Sequence, residues 1–161
     1  MEQCGECDGR CCRRYRVPIT GADLRRLAAQ GHNPDDIVDW VPVGTMYCTY
    51  PDVRIHNGYY YLVLSRRQDG SCILSEETGE GLRCKAHGSH PALCALYPHS
   101  FEGDLLKNRL CSKGIKAPKD VRARMDARDR EAEDYTKKVT YWNSRRRDKR
   151  GPDEFIAYAL D

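Results

Sequence analysis

The clearest hydrophobic pattern lies in the last third of the chain. Val121, Met125, Ala132, Tyr135, Val139 and Trp142 recur at three- and four-residue steps, with Arg128 in one slot. That period predicts a long amphipathic helix opening at Pro118. The run is too short for a coiled-coil zipper, so a helix packed on the core accounts for it better, with Tyr141 and Trp142 both turned inward. Arg145 to Arg150 then ends the helix, and Phe155-Ile156-Ala157-Tyr158 predicts a short docking helix.

Nearer the N-terminus, Thr20-Gly21-Ala22-Asp23 has the form of a helix start, with Thr20 as N-cap and an acid three residues on. Leu24, Leu27 and Ala28 make its apolar face, and Gly31 is placed to end it. Asn33-Pro34-Asp35-Asp36 starts a second short helix with Pro34 in its first position and Ile37, Trp40 and Val41 facing inward. From Val53 to Ser65 the alternation and the Asn57-Gly58 pair predict a β-hairpin with a two-residue turn. Between Gly70 and Gly114 neither period holds. That stretch is rich in Gly, His, Pro and Cys and needs cross-links to be ordered.

The expected fold is therefore α+β: a small metal-stapled domain with irregular cysteine-rich loops, one β-hairpin and a long C-terminal helix. Residues 1–114 form the metal-binding domain and 115–161 a helical segment packed on it. Composition supports the staple, since 161 residues carry only 2 Phe and 2 Trp. A core so short of large side chains gains from coordination bonds.

The chain has 9 cysteines. They fit either a disulfide framework or thiolate ligands in a reducing compartment. The start, Met1-Glu2-Gln3-Cys4, has no basic and apolar leader, and no stretch approaches the roughly 18 apolar residues of a membrane span. An odd count would also leave one thiol unpaired. These features favour metal ligation and a cytoplasmic location, without a membrane partner.

Charge adds little to that picture. Residues 1–112 hold 13 basic and 14 acidic side chains, residues 113–150 hold 14 and 7, and residues 151–161 hold 3 acidic ones. The basic excess thus belongs to the long helix and its end. A solvated helix end explains Arg145 to Arg150 better than a phosphate-binding strip, which makes nucleic acid a disfavoured partner.

The cysteines fall into two groups. The first is Cys4-x2-Cys7-x3-Cys11-Cys12. Two cysteines separated by two residues reach one metal, because the turn between them directs both sulfurs inward. The vicinal pair is awkward for one tetrahedral ion and suits a cluster or two adjacent metals. The second group is dispersed: Cys72, Cys84, Cys94 and Cys111. Four and four make eight thiolates, enough for zinc sites or for an iron–sulfur cluster, including a 4Fe-4S one. Cys48 lies outside both groups and reads as a small buried hydrophobe.

The N-terminal motif, followed by Gly70-Ser71-Cys72, Cys84 and Pro91-Ala92-Leu93-Cys94-Ala95-Leu96-Tyr97-Pro98, resembles the YkgJ-type CxxCxxxCC cysteine-cluster family. The resemblance runs from about Cys4 to Cys111. It implies a zinc- or iron-chelating domain whose ligands are Cys4, Cys7, Cys11, Cys12, Cys72, Cys84, Cys94 and Cys111. Two departures stand out: His90 precedes Pro91 where the family commonly has arginine, and the segment between Cys72 and Cys84 is long. Flagellin lysine methylases resemble the same family but are longer.

Three functional readings follow. The first is a metal-binding protein carrying an iron–sulfur cluster or Zn2+, serving electron transfer, maturation or chelation, with a protein partner. The second is a cluster-dependent protein-modifying enzyme such as a protein lysine methyltransferase. The third is a zinc-stapled module that binds nucleic acid or protein. The sequence holds no Ser/His/Asp arrangement, phosphate-cradling loop or dinucleotide fingerprint, so catalytic residues stay unassigned. His87, His90 and His99 flank Cys94 and read as loop residues or donors to thiolates rather than ligands. Arg10, Arg13, Arg14 and Arg16 could lower a thiol pKa for redox work, but redox work does not explain eight spaced cysteines. Asp23, Asp35, Asp36 and Asp39 read as helix-start carboxylates favoured by the dipole.

Overall fold

A computed structural model describes residues 9–79, 81–97, 119–145 and 151–161. In chain order the elements are α1 (Arg10–Arg14), α2 (Gly21–Ala29), α3 (Pro34–Ile37), β1 (Val38–Pro42), β2 (Val53–Ile55), β3 (Gly58–Leu64), β4 (Ser75–Thr78), β5 (Gly81–Cys84), α4 (Ala92–Leu96), α5 (Val121–Ser144) and α6 (Pro152–Leu160). The fold is α+β, as the patterning implies.

Local signals hold where they are strongest. The Thr20 hydroxyl accepts from the Asp23 amide at 3.2 Å, and the Asp23 carboxylate accepts from the Thr20 amide at 2.8 Å, a reciprocal capping box. At the other end of α2 the amides of Gly31 and His32 donate back to Ala28 and Leu27, with Gly31 at φ 86°. This is the left-handed ending that glycine permits. The long helix α5 buries Met125, Tyr135, Val139 and Trp142. Tyr141 departs from the expectation: it is exposed and stacks on Tyr158 of α6. Arg146 to Arg150 and Pro118 lie outside the described residues.

Three further expectations are corrected. The helix begun at Pro34 lasts one turn, and Val38 to Pro42 leave it as a strand paired antiparallel to β3, Trp40 opposite Leu62. The β-branched and aromatic residues there gain more from a partner strand than from another helical turn. β3 is thus the centre of a three-stranded sheet ordered β1-β3-β2. The hairpin turn also shifts by one residue. Ile55 pairs with Gly58, so the loop is His56-Asn57, and His56 takes the positive φ of 47°. Gly58 serves a different purpose, because a Cβ there would stand 2.6 Å from the Tyr60 ring. Thirdly, the stretch from Gly70 contains regular structure. β4 and β5 form a second hairpin with Ser75 opposite Cys84, and α4 follows.

The core joins these parts into one cluster, from Ile19, Leu24 and Leu27 through Val53, Leu62 and Leu74 to Tyr135, Trp142 and Phe155. Val17 to Ile19 run along β3, with the Ile19 amide on the Leu62 carbonyl at 3.1 Å. That anchor sets the start of α2. The edge of β2 is closed by α5: Asn143 accepts from the Arg54 amide at 2.8 Å and donates to the Asp52 carbonyl at 2.9 Å, while Trp142 donates to the Arg54 carbonyl at 2.8 Å. α6 lies on α2 so closely that a Cβ on Gly21 would stand 2.6 Å from the Ala159 carbonyl oxygen.

Candidate metal centre

Five of the eight candidate cysteines lie among the described residues, on four pieces of chain. Cys11 and Cys12 sit in α1, Cys72 in the loop before β4, Cys84 at the end of β5 and Cys94 in the middle of α4. Cys4, Cys7 and Cys111 lie outside the described residues.

The backbone draws these pieces together. Gly9 precedes α1 in the left-handed region at φ 68°, and a side chain there would collide with Leu82 of β5. Glycine is therefore needed twice over, for the turn and for the approach to the strand bearing Cys84. The Cys12 carbonyl accepts from the Cys72 amide at 2.9 Å and from the Arg66 guanidinium at 3.1 Å. The Cys72 carbonyl in turn accepts from the amide and hydroxyl of Ser75, at 2.9 and 2.6 Å, and Ser75 is the residue paired with Cys84. Tyr15 and Tyr97 follow α1 and α4 directly, and their rings meet edge to face at 5.6 Å. That contact ties the Cys11–Cys12 helix to the Cys94 helix.

The thiols consequently feel one another. Cys12 is pushed far above the ordinary thiol range, first by its hydrogen bond with Cys11, then by burial and by the charges that Cys11, Cys72 and Cys94 would carry. Burial raises Cys94, and Cys72, Cys84 and Cys11 add to it. Burial also raises Cys72, with the Leu74 amide and the Arg66 and Arg67 guanidiniums opposing it. Several thiolates this close repel unless a cation replaces their protons, and a soft metal ion is the cation such a donor set suits. Among the described residues, no three Cys, His, Asp or Glu side chains stand at metal-coordinating positions. The five thiols share an electrostatic neighbourhood without closing on a point.

The other candidates separate from this group. Cys48 is half-buried against the core beside Tyr50 and Tyr135, and burial raises its pKa. His99 lies outside the described residues. His87 and His90 meet edge to face at 5.0 Å, and the Gly88 amide donates to His90 Nδ1 at 3.3 Å. With Nδ1 accepting, the His90 proton sits on Nε2, and this ring is no Nε2 ligand in that state. Burial, then the neighbouring His87, lowers the His90 pKa from 6.5 to about 4. The unfolded chain therefore takes up a proton at His90 before the folded one does. Stability from this residue is complete above pH 6.5 and falls as the pH drops toward 4. Urea denaturation of wild type and His90→Gln across that window is expected to show a flatter pH profile for the variant; parallel profiles would refute the assignment.

One residue carries more than its sequence context suggests. Asp23 is fully buried. Besides capping its own helix it accepts from the Ala92 amide at 2.8 Å, 69 residues away, and pairs with Arg26, which also binds Glu131 of α5. Burial raises the Asp23 pKa, while the Thr20 and Ala92 amides and Arg26 oppose that rise. Helix-start position alone does not disclose the link to Ala92.

Comparison with known proteins bears on this arrangement. A family model named CxxCxxCC, described as a "putative zinc- or iron-chelating domain", matches residues 3–140. The chain belongs to this family. The match agrees with the resemblance carried by the cysteine motifs, and it makes metal binding through a cysteine cluster the chain's role at that level of description. It extends past the cysteine-rich region into α5. No curated protein and no solved structure matches the chain. Among the described residues, no helix of this cysteine-cluster protein is long and apolar enough to cross a membrane.

Proposed function

We propose that this cysteine-cluster protein holds an iron–sulfur cluster through thiolates drawn from Cys4, Cys7, Cys11, Cys12, Cys72, Cys84, Cys94 and Cys111, and serves as an electron-transfer, maturation or chelating accessory in the cytoplasm. The observation that supports it most is the drawing together of the four pieces of chain that carry Cys11, Cys12, Cys72, Cys84 and Cys94, through the Cys72 amide on the Cys12 carbonyl, Ser75 between Cys72 and Cys84, and the Tyr15–Tyr97 ring contact. The vicinal pair favours a polynuclear centre over a lone tetrahedral ion, because neighbouring thiolates can bind different metal atoms. Four-thiolate zinc is the mononuclear counterpart that the same donors could hold.

Anaerobic purification followed by iron, zinc and acid-labile sulfide analysis, with an absorption spectrum, tests the proposal. Iron and sulfide in near-equal amounts, with a broad visible band, are expected. Stoichiometric zinc without sulfide would replace the cluster by structural zinc. Neither metal above trace would overturn metal binding itself.

A further inference from the structure

Helix α4 carries Cys94 but has no cap of its own. The residue before it is Pro91, whose side chain makes no hydrogen bond to the helix. The first amide of the helix, on Ala92, belongs to the donors that any helix start leaves without an internal partner. Asp23 supplies the missing acceptor from α2, at 2.8 Å. We propose that Asp23 is a positioning residue of the metal centre: by capping α4 from a second helix, it sets where the Cys94 thiol stands. This role rests on Cys94 being a metal ligand.

The carboxylate is held from every side, so it works as a rigid post. Oδ2 accepts from the Thr20 amide at 2.8 Å and the Thr20 hydroxyl at 3.1 Å. Oδ1 accepts from Ala92 and pairs with Arg26. Arg26 is itself held by Glu131, Nη2 to Oε2 at 3.0 Å. The chain of contacts thus runs from α5 through α2 to α4. Ile19 and Thr20 add the central strand, since the Ile19 amide is bonded to β3. Cys94 lies two residues beyond the amide so held, on the first turn and a half of a five-residue helix too short to fix itself.

Every group that hydrogen-bonds to the Asp23 carboxylate is a donor, which makes the carboxylate hard to replace, and its charge also reaches the Cys94 thiol. An asparagine has one acceptor oxygen, and its NH2 would face either the Thr20 pair or Ala92 and Arg26 as donor against donor. Groups hydrogen-bonded directly to metal ligands change metal affinity about 10- to 100-fold when removed, and a cap two residues from the ligand is expected at the lower end of that range.

The test uses the full-length, reduced protein under anaerobic conditions, with Co2+ as the probe and the thiolate-to-cobalt charge-transfer band as the readout. Wild type should show the band. Asp23→Asn should bind Co2+ about tenfold more weakly, with band intensity per cobalt reduced toward that of Cys94→Ser. Arg25→Gln is the structural control on the same helix: Arg25 donates to the Ala159 carbonyl at 2.7 Å, on the α6 side, and its loss should leave affinity and spectrum unchanged. Wild-type affinity and spectrum in folded Asp23→Asn would overturn the role, as would an equal loss in Arg25→Gln. If Asp23→Asn does not fold, Glu131→Gln decides, because it loosens Arg26 while leaving the carboxylate in place. About threefold weaker Co2+ binding is then expected, and unchanged binding overturns the role. Absence of the thiolate band from wild type would instead overturn the metal centre, and the positioning role with it.

Discussion

Cys11→Ser is expected to remove most of the metal from the protein, while Cys48→Ser leaves metal per chain unchanged. Cys11 stands in α1 beside Cys12, close enough to hydrogen-bond with it, and its charge reaches both Cys72 and Cys94. A hydroxyl in its place is a hard, neutral donor among soft thiolates, and the remaining ligands no longer complete the set. Cys48 differs on each count. It lies half-buried beside Tyr50 and Tyr135, outside the neighbourhood of the other five. Its serine variant should cost on the order of 1 kcal/mol for a poorly partnered hydroxyl and nothing in metal. The two variants are to be purified side by side without oxygen and assayed for iron, zinc and sulfide. Metal lost from Cys48→Ser but kept in Cys11→Ser would overturn the ligand assignment.

Phe155→Ala should produce the largest loss of stability, about 3–5 kcal/mol. Phe155 is fully buried, and its ring meets those of Trp40 at 5.6 Å, Trp142 at 5.1 Å, Tyr135 at 6.4 Å and Tyr158 at 6.2 Å. Both tryptophans of the chain touch it, so the large rings among the described residues are concentrated around Phe155. Removing the ring leaves a cavity that four aromatic neighbours from β1, α5 and α6 cannot fill without breaking their own contacts. Phe155→Leu should cost less, because much of the volume remains. Denaturant titration monitored by tryptophan fluorescence reads both; a loss below 1 kcal/mol for the alanine variant would mean that the cluster does not anchor the C-terminal helix.

That aromatic hub also qualifies the expectation of a weak core. Counting Phe and Trp suggests that metal must substitute for packing. The count says nothing about whether the few large rings are scattered or gathered. Among the described residues they are gathered, and they come from residues 40, 135, 142, 155 and 158, a grouping that no local window of the chain reveals.

The elements legible in the sequence share a cause. The Thr20–Asp23 box, the Gly31 ending, the Pro34 start and the stripe on α5 all depend on groups three or four residues apart, so the chain states them locally. The two-residue turn was legible in kind but not in register. The turn pair reads as Asn57-Gly58, whereas Ile55 pairs with Gly58, so that Gly58 is the first strand residue and the turn is His56-Asn57. The chelating chemistry was legible too, since thiol spacing is a local property and the family match bears out a zinc- or iron-chelating domain.

What the tertiary structure alone decided are the pairings between distant parts. Val38 to Pro42 could continue a helix or form a strand, and the presence of β3 alongside settles it. β4 and β5 carry too little alternation to announce themselves, and they form because each supplies the other's hydrogen bonds. Asp23 looks like any helix-start acid until the Ala92 amide arrives from 69 residues away. The same holds for the cysteines: their spacing names the chemistry, but the tie of Cys12 to Cys72 and of Tyr15 to Tyr97 brings the thiols into one neighbourhood. Local backbone preferences act over a few residues, whereas burial and hydrogen-bond satisfaction depend on what the rest of the chain brings into contact.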